Sequence, residues 1–308
     1  FTGAKKVILF EDNDEAGRHH VAVVGASMRR LGIPVYVVDF KEMPPKSDVT
    51  DYIESGKTDD DLIEKIAKAR PWQPDLPKSL YGAVRFIDLE QPTEDIEWLW
   101  DDFMTCGDKS IIGGASQSGK SFCGINLGLH IAAGTPFLGH ATLQGLVCYQ
   151  AGESARGARR RMKAFRIEHG IGPQTDLPFV LLSKRIDLFS KDSGDVQGLI
   201  DEVKAWEAFY VEHKLRWLCI DTLARASVGA EENSAKDMGI VLDNMDRLEN
   251  SLGCAVSAVH HMNAVGSKLR GSSAVYANVE QVLVISRDPE SGVRTLRVDK
   301  MKDEADGG

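Results

Sequence analysis

Twelve residues, 110–121 (SIIGGASQSGKS), concentrate the chemistry of this sequence. Gly114, Gly119, Lys120 and Ser121 fill the pattern G-x-x-x-x-G-K-[ST] without a gap. Glycines let the backbone wind round a phosphate with its N–H groups pointing inward, where a Cβ would stand in the way. Gly114, Ala115, Ser116, Gln117, Ser118, Gly119, Lys120, Ser121 and the following Phe122 are therefore the candidate nucleotide-binding residues. A helix opening near Lys120 would add the positive end of its dipole. Lys120 would neutralise the β- and γ-phosphates, and the Ser121 hydroxyl would ligate Mg²⁺. Chance supplies the four fixed positions in only about one chain in a hundred of this length. ATP and Mg²⁺ are the expected cofactors.

Further candidates stand at the ends of apolar runs. Asp221 closes Trp217–Ile220, where a phosphate-loop enzyme holds Mg²⁺ through an acid; the alternative is an aspartate that opens a helix. Glu153 follows GLVCYQAG and could take a proton from water attacking the γ-phosphate; otherwise it is a helix-start acid. His260 and His261 end CAVSAVHH, and either senses a phosphate or is a partly buried imidazole. Arg270 lies in a Gly/Ser-rich loop from which it could reach a phosphate of its own or a neighbouring subunit. Lys300 and Lys302 alternate on the last strand, either as solvated lysines or as cations offered to a neighbour's ATP. The run ARGARRRMKAFRIEHG carries Arg156, Arg159, Arg160, Arg161, Lys163 and Arg166 and reads as an interface-facing helix or a DNA-contacting surface.

Near the start, Asp12 and Asp14 follow the apolar run KVILF. Carboxylates one residue apart can share a Mg²⁺ ion, or can cap the next helix; spacing alone does not choose. Asp48 and Asp51 add two acids beyond the next apolar run, PVYVVDF.

These residues need a scaffold of strands that end in loops. Residues 5–40 read as strand, helix, strand, so their two strands should be parallel. DDDLIEKIAKA (59–69) reads as an amphipathic helix. Prolines 71, 74, 77 and 92 mark residues 71–96 as a linker, with a short strand at AVRFIDL. From 97 onward strands and helices alternate. Helices are expected at 194–213 and 233–252, and a closing hairpin of QVLVISRD and RTLRVDKMK turns at Pro-Glu-Ser-Gly. The fold class is α/β, with a mostly parallel sheet covered on both faces.

Composition excludes little else. The chain has 308 residues, a net charge of −9 and five scattered cysteines with no CxxC pair, which read as reduced core residues of a cytoplasmic protein. No apolar run reaches membrane-spanning length. The net charge offers nucleic acid no global attraction but leaves room for a local basic channel. The sequence starts almost inside a strand and ends DEADGG directly after one, so both ends are expected to be cut from a longer protein.

Two resemblances sharpen this reading. FEDNDEAGRHH, PVYVVDF and KSDVTDYIESG resemble the second half of a Toprim domain, the metal-binding module of primases and topoisomerases. The resemblance implies that Asp12 and Asp14 help bind Mg²⁺, and that a glutamate on an earlier strand lies outside this chain. GGASQSGKS, YQAGES, LCIDT, AVHHMNAVGSKLRGSSA and VDKMKD resemble the RecA-like ATPases, in particular the RepA/DnaB branch of hexameric replicative helicases. That resemblance implies Glu153 as catalytic base, His261 as a contact to the phosphate end, and Lys300 and Lys302 acting in trans. Lysine at both of those positions is the pattern of RecA-type recombinases, so the branch stays open.

The expected organisation is thus a partial Toprim domain (1–70), a linker (71–96) and a RecA-like domain (97–308). The expected function is an ATP-dependent DNA helicase or translocase of replication. Its expected partners are single-stranded DNA, further copies of itself in a hexamer or other ring, and other replication proteins. The alternatives are a recombination or repair ATPase, or a non-motor switch ATPase.

Overall fold

The computed structural model describes residues 3–75, 78–86, 97–190, 194–263 and 269–302. Two compact units divide the chain, Phe1–Pro92 and Thr93–Gly308.

In the first unit β1 (Val7–Glu11), α1 (Glu15–Arg30) and β2 (Val35–Asp39) form the expected crossover, with β1 and β2 parallel. Two short helices follow, α2 (Val49–Glu54) and α3 (Asp59–Ala67). Each opens with a capping box, Asp48 with Asp51 and Thr58 with Asp61. Asp48 and Asp51 are thus spent on starting α2. β3 (Arg70–Pro71) then pairs antiparallel with β2. The Trp72 ring lies where a Cβ on Gly25 of α1 would be. The segment expected to open the linker therefore packs as part of this unit. Residues 83–86 of the strand expected at AVRFIDL are not extended into a sheet, and its last three residues lie outside the described residues.

The second unit starts with a small hairpin, β4 (Trp98–Trp100) and β5 (Met104–Thr105). Then come β6 (Lys109–Gly114), α4 (Lys120–Ala133), β7 (Leu146–Ala151), α5 (Ala155–Glu168) and β8 (Phe179–Leu182). α6 (Gly194–Phe209), β9 (Leu215–Asp221), α7 (Leu223–Ala226), α8 (Ala235–Leu252) and β10 (Ala255–His261) follow. The unit closes with α9 (Ser273–Ala277), β11 (Gln281–Arg287) and β12 (Arg294–Met301). The strand order is β12-β11-β6-β10-β9-β7-β8. All neighbours are parallel except β11 and β12, the expected hairpin.

Strand alternation divides the core between the two faces. Leu218 and Ile220 of β9 join one apolar cluster with residues of α6 and α8. Trp217 and Cys219 join the other with residues of α4 and α5. Gly128 lets α4 sit close to the sheet: a Cβ there would lie 2.9 Å from the Phe179 ring and 3.2 Å from the Trp217 ring.

Among the described residues the five cysteines are unbonded; Cys148, Cys219 and Cys254 are buried, Cys106 and Cys123 half-buried. No described helix is long and apolar enough to cross a membrane.

Candidate nucleotide site

The candidate loop joins the carboxyl end of β6 to the amino end of α4. This is the edge of a parallel sheet where ligands collect. Gly119 caps α4 with φ +107°, and Gln117 also has positive φ, at 63°. A cavity of about 440 Å³ opens over the loop. Ser116, Gln117, Gly119, Lys120, Ser121 and Phe122 line it, together with Glu153, Thr222 and His261. Gly114, Ala115 and Ser118 do not line it. Gly114 O and Ala115 O instead accept from Lys120 Nζ at 2.9 and 2.8 Å. Ser118 is buried, and its Oγ meets no partner. Lys120 is itself buried, and burial pulls its ammonium below the usual lysine value, against the opposing pull of Asp221 and Glu153.

The acids arrive from neighbouring strands. Asp221 ends β9 on the face that α4 covers, as period-two alternation from Trp217 and Cys219 requires. Tyr149 Oη donates to Asp221 Oδ2 at 2.7 Å, while the buried Oδ1 meets no hydrogen bond of ordinary geometry. Burial pushes the Asp221 carboxyl up; the Tyr149 and Ser121 hydroxyls pull it down, and Glu153 adds to the rise. Glu153 lies two residues past β7, because the strand ends earlier than expected, where Gly152 N donates to Asp221 O. Thr222 Oγ1 donates to Glu153 Oε1 at 3.0 Å and so fixes the direction of that carboxylate.

Alternation also separates the two histidines. His261 Nδ1 stands 3.4 Å from Lys120 Nζ, and burial lowers its pKa, with the Lys120 charge adding to the effect. His260 points to the opposite face, where Nε2 donates to Arg270 O at 2.8 Å.

The oxygen set suits a hard divalent cation. Asp221 Oδ1 is buried without a donor, and the Ser121 hydroxyl acts on the same carboxyl. Among the described residues no group of three or more His, Cys, Asp or Glu could hold a metal by itself. Phosphate oxygens and water would have to complete the shell, as is usual for Mg²⁺.

Two cavity residues carry no motif. Arg161, from the outward-looking basic helix α5, and Arg294, the first residue of β12, both line the cavity. The other cations singled out in the sequence do not line this cavity. Arg270 Nε pairs with Glu232 Oε2 at 2.8 Å, and Arg270 does not line the cavity. The register of β12 against β11, and of β11 against β6, puts Lys300 at the far end of the sheet from the loop. Lys300 Nζ donates to Tyr276 O and Val279 O, both at 2.7 Å. Lys302 lies past the end of β12 and pairs with Glu280 at 3.3 Å. The register shift of β12 comes before both lysines, between Val298 and Lys300, and Lys302 N donates to Glu280 O at 3.0 Å.

In the first unit Asp12 and Asp14 stand just beyond β1. Asp14 Oδ1 accepts from Gly17 N at 2.8 Å as the N-cap of α1, and the Asp12 side chain is exposed. The capping role is thus observed for Asp14.

A search of curated proteins returns no match. Among solved structures, one described as an "ATPase Domain" is similar with a TM-score of 0.48 and 10% sequence identity, over 64% of this chain and 78% of that one. A family model described as "AAA domain" matches residues 76–267, more than half of the sequence. The chain belongs to this AAA domain family.

Proposed function

We propose that this chain is a Mg²⁺- and ATP-dependent motor that moves on or unwinds DNA in replication, working as a ring. The observation that carries the ATPase reading is the convergence of Lys120, Ser121, Glu153 and His261 on one cavity, with Asp221 behind it. Family membership supports it.

The chemistry follows from the contacts. Lys120, now bonded to two loop carbonyls, would exchange them for phosphate oxygens with little movement. Glu153, oriented by Thr222, would accept the proton of an attacking water. His261, kept neutral by burial, would report the phosphate end to β10 and, through its neighbour His260, to the Arg270 loop. Ser121 and Asp221 would hold Mg²⁺, which when bound neutralises phosphate charge.

DNA and ring assembly rest on the resemblance to the RepA/DnaB branch and on the basic outer face of α5, where Arg156, Arg159, Arg160 and Lys163 are exposed. The Toprim reading of the first unit rests on Asp12 and Asp14 at the end of a parallel strand.

The test is ATP hydrolysis with and without single-stranded DNA, beside electron microscopy with ATP and DNA. DNA-stimulated turnover by closed rings is expected. Helical filaments would favour a recombinase, and turnover indifferent to DNA a non-motor switch.

A further inference from the structure

We propose that Arg294 binds the nucleotide's phosphates in cis, and that it serves affinity and not the chemical step. This inference rests on the ATP reading of the cavity.

The fold delivers Arg294 to the loop. Ile285 pairs with Gly114, so β11 ends where the phosphate loop begins. The hairpin then turns, and Arg287 pairs with Arg294, which opens β12 at that same end of the sheet. Arg294 Nε donates to Ser118 O at 3.1 Å. A Cβ on Gly119 would lie 2.9 Å from Arg294 Nε and 3.1 Å from its Cδ. Glycine at 119 therefore serves two purposes: it takes the positive φ, and it leaves room for this side chain. Among the described residues no carboxylate pairs with Arg294, although Arg297 on the same strand has Asp299 at 2.8 Å. The guanidinium is anchored through one nitrogen, and its residue lines the cavity.

Charge identifies the ligand class. Lys120, Arg161 and Arg294 face a cavity whose lining includes one carboxylate, that of Glu153. A guanidinium can give two parallel hydrogen bonds to a phosphate. Position identifies the role. Contacts among Lys120, His261, Thr222 and Glu153 mark the part of the cavity where a γ-phosphate would react. Among the described residues Arg294 shares no hydrogen bond or ion pair with these four and grips the loop at Ser118 and Gly119. A contact made there is the same for ATP and ADP. It adds uniform binding, which changes affinity and leaves the chemical step alone.

The experiment compares the full chain with its Arg294→Ala and Arg294→Lys variants, using fluorescent ADP and ATP analogues with Mg²⁺. For Arg294→Ala the Kd of both nucleotides should rise roughly tenfold. At saturation kcat should stay within about twofold. Millimolar guanidinium chloride should restore much of the affinity, the melting temperature should fall by no more than a few degrees for the lost Ser118 hydrogen bond, and Arg294→Lys should lie between.

Unchanged affinity for both nucleotides in Arg294→Ala overturns the proposal. So does an affinity loss that follows a fall in melting temperature and resists guanidinium, because Arg294 would then only brace the loop. A loss confined to ATP and to kcat overturns it too, since Arg294 would be a γ-phosphate group. A wild-type chain that binds neither nucleotide sinks the ATP reading and this inference together. Wild-type binding with an indifferent Arg294→Ala sinks the inference alone.

Discussion

At the scale of single residues, the lysine of the loop has two tasks. Its ammonium is buried and satisfies two backbone carbonyls as well as facing the cavity. Lys120→Ala should therefore abolish hydrolysis and also cost about 1–3 kcal/mol of stability, because acceptors lose their donor. Urea unfolding beside an ATPase assay separates the two effects, and an undiminished hydrolysis rate would remove the phosphate-loop assignment. Glu153→Gln keeps the shape and the Thr222 hydrogen bond but cannot take a proton. It should bind ATP normally and turn over roughly 10²–10⁴ times more slowly. Lost binding with normal turnover at saturation would contradict the division of roles.

The buried His260 and the half-buried His130 and His261 contribute a pH dependence. His130, His260 and His261 all have lowered pKa values, with burial the first cause in each. At these three side chains the folded state takes up protons less readily than the unfolded chain, whereas the raised carboxyls of Asp221 and Glu249, the latter pushed up to about 7 by burial, act in the opposite sense. The histidines' share of the stability should be full above the ordinary histidine value of about 6.5 and fall as pH drops through it. Urea midpoints measured across that range check the sign. A His260→Gln variant should lose less stability on acidification than the wild type, and equal pH dependence in the two would refute the assignment.

At the scale of elements, helix packing distinguishes glycines that look alike in sequence. Gly128 in α4 sits against Phe179, Val147 and Trp217, whereas Gly239 in α8 is exposed with nothing within 4 Å of an added Cβ. Gly128→Ala should cost about 1–3 kcal/mol through overpacking. Gly239→Ala should gain about 0.5–1 kcal/mol by favouring helix. Equal effects would mean that α4 does not lie as close to the sheet as its packing indicates.

The same distinction explains what could be read beforehand. The loop from Gly114 to Ser121 was legible because its chemistry is confined to consecutive residues. Asp221 and His261 were legible because each closes an apolar strand. Arg161 and Arg294 were not, since their arrival depends on strand order and on hairpin register, neither of which a local pattern encodes. The place of Lys300 and Lys302 depends likewise on the register of β12 against β11. The short elements α2, β3, β4, β5, α7 and α9 have too few residues to show a period.

At the scale of the whole molecule, the second unit places its cations at two ends of one sheet. Lys120, Arg161 and Arg294 stand at the phosphate loop, while Lys300 and Lys302 stand at the opposite end. The two lysines therefore cannot serve the site of their own chain without dismantling the hairpin. Two roles remain. They are internal ties, Lys300 to the Tyr276 and Val279 carbonyls at and just beyond the end of α9 and Lys302 to Glu280, or they leave those ties to meet a neighbour's ATP in a ring. A cation supplied in trans accelerates phosphoryl transfer by roughly 10³–10⁵. In that case hydrolysis should rise more steeply than linearly with protein concentration through the assembly range. Subunit mixing gives the decisive result. A Lys120→Ala subunit keeps its lysines but has a dead site; a Lys300→Ala/Lys302→Ala subunit has a sound site and no lysines to offer. Each alone should be nearly inactive, and mixed rings should recover turnover wherever a sound site faces an intact pair. The melting temperature of the double variant guards against a trivial explanation, because losing the ties could loosen α9. A double variant that is less stable yet fully active per folded subunit, or a mixture that co-assembles and stays dead, would return both lysines to a role inside their own chain.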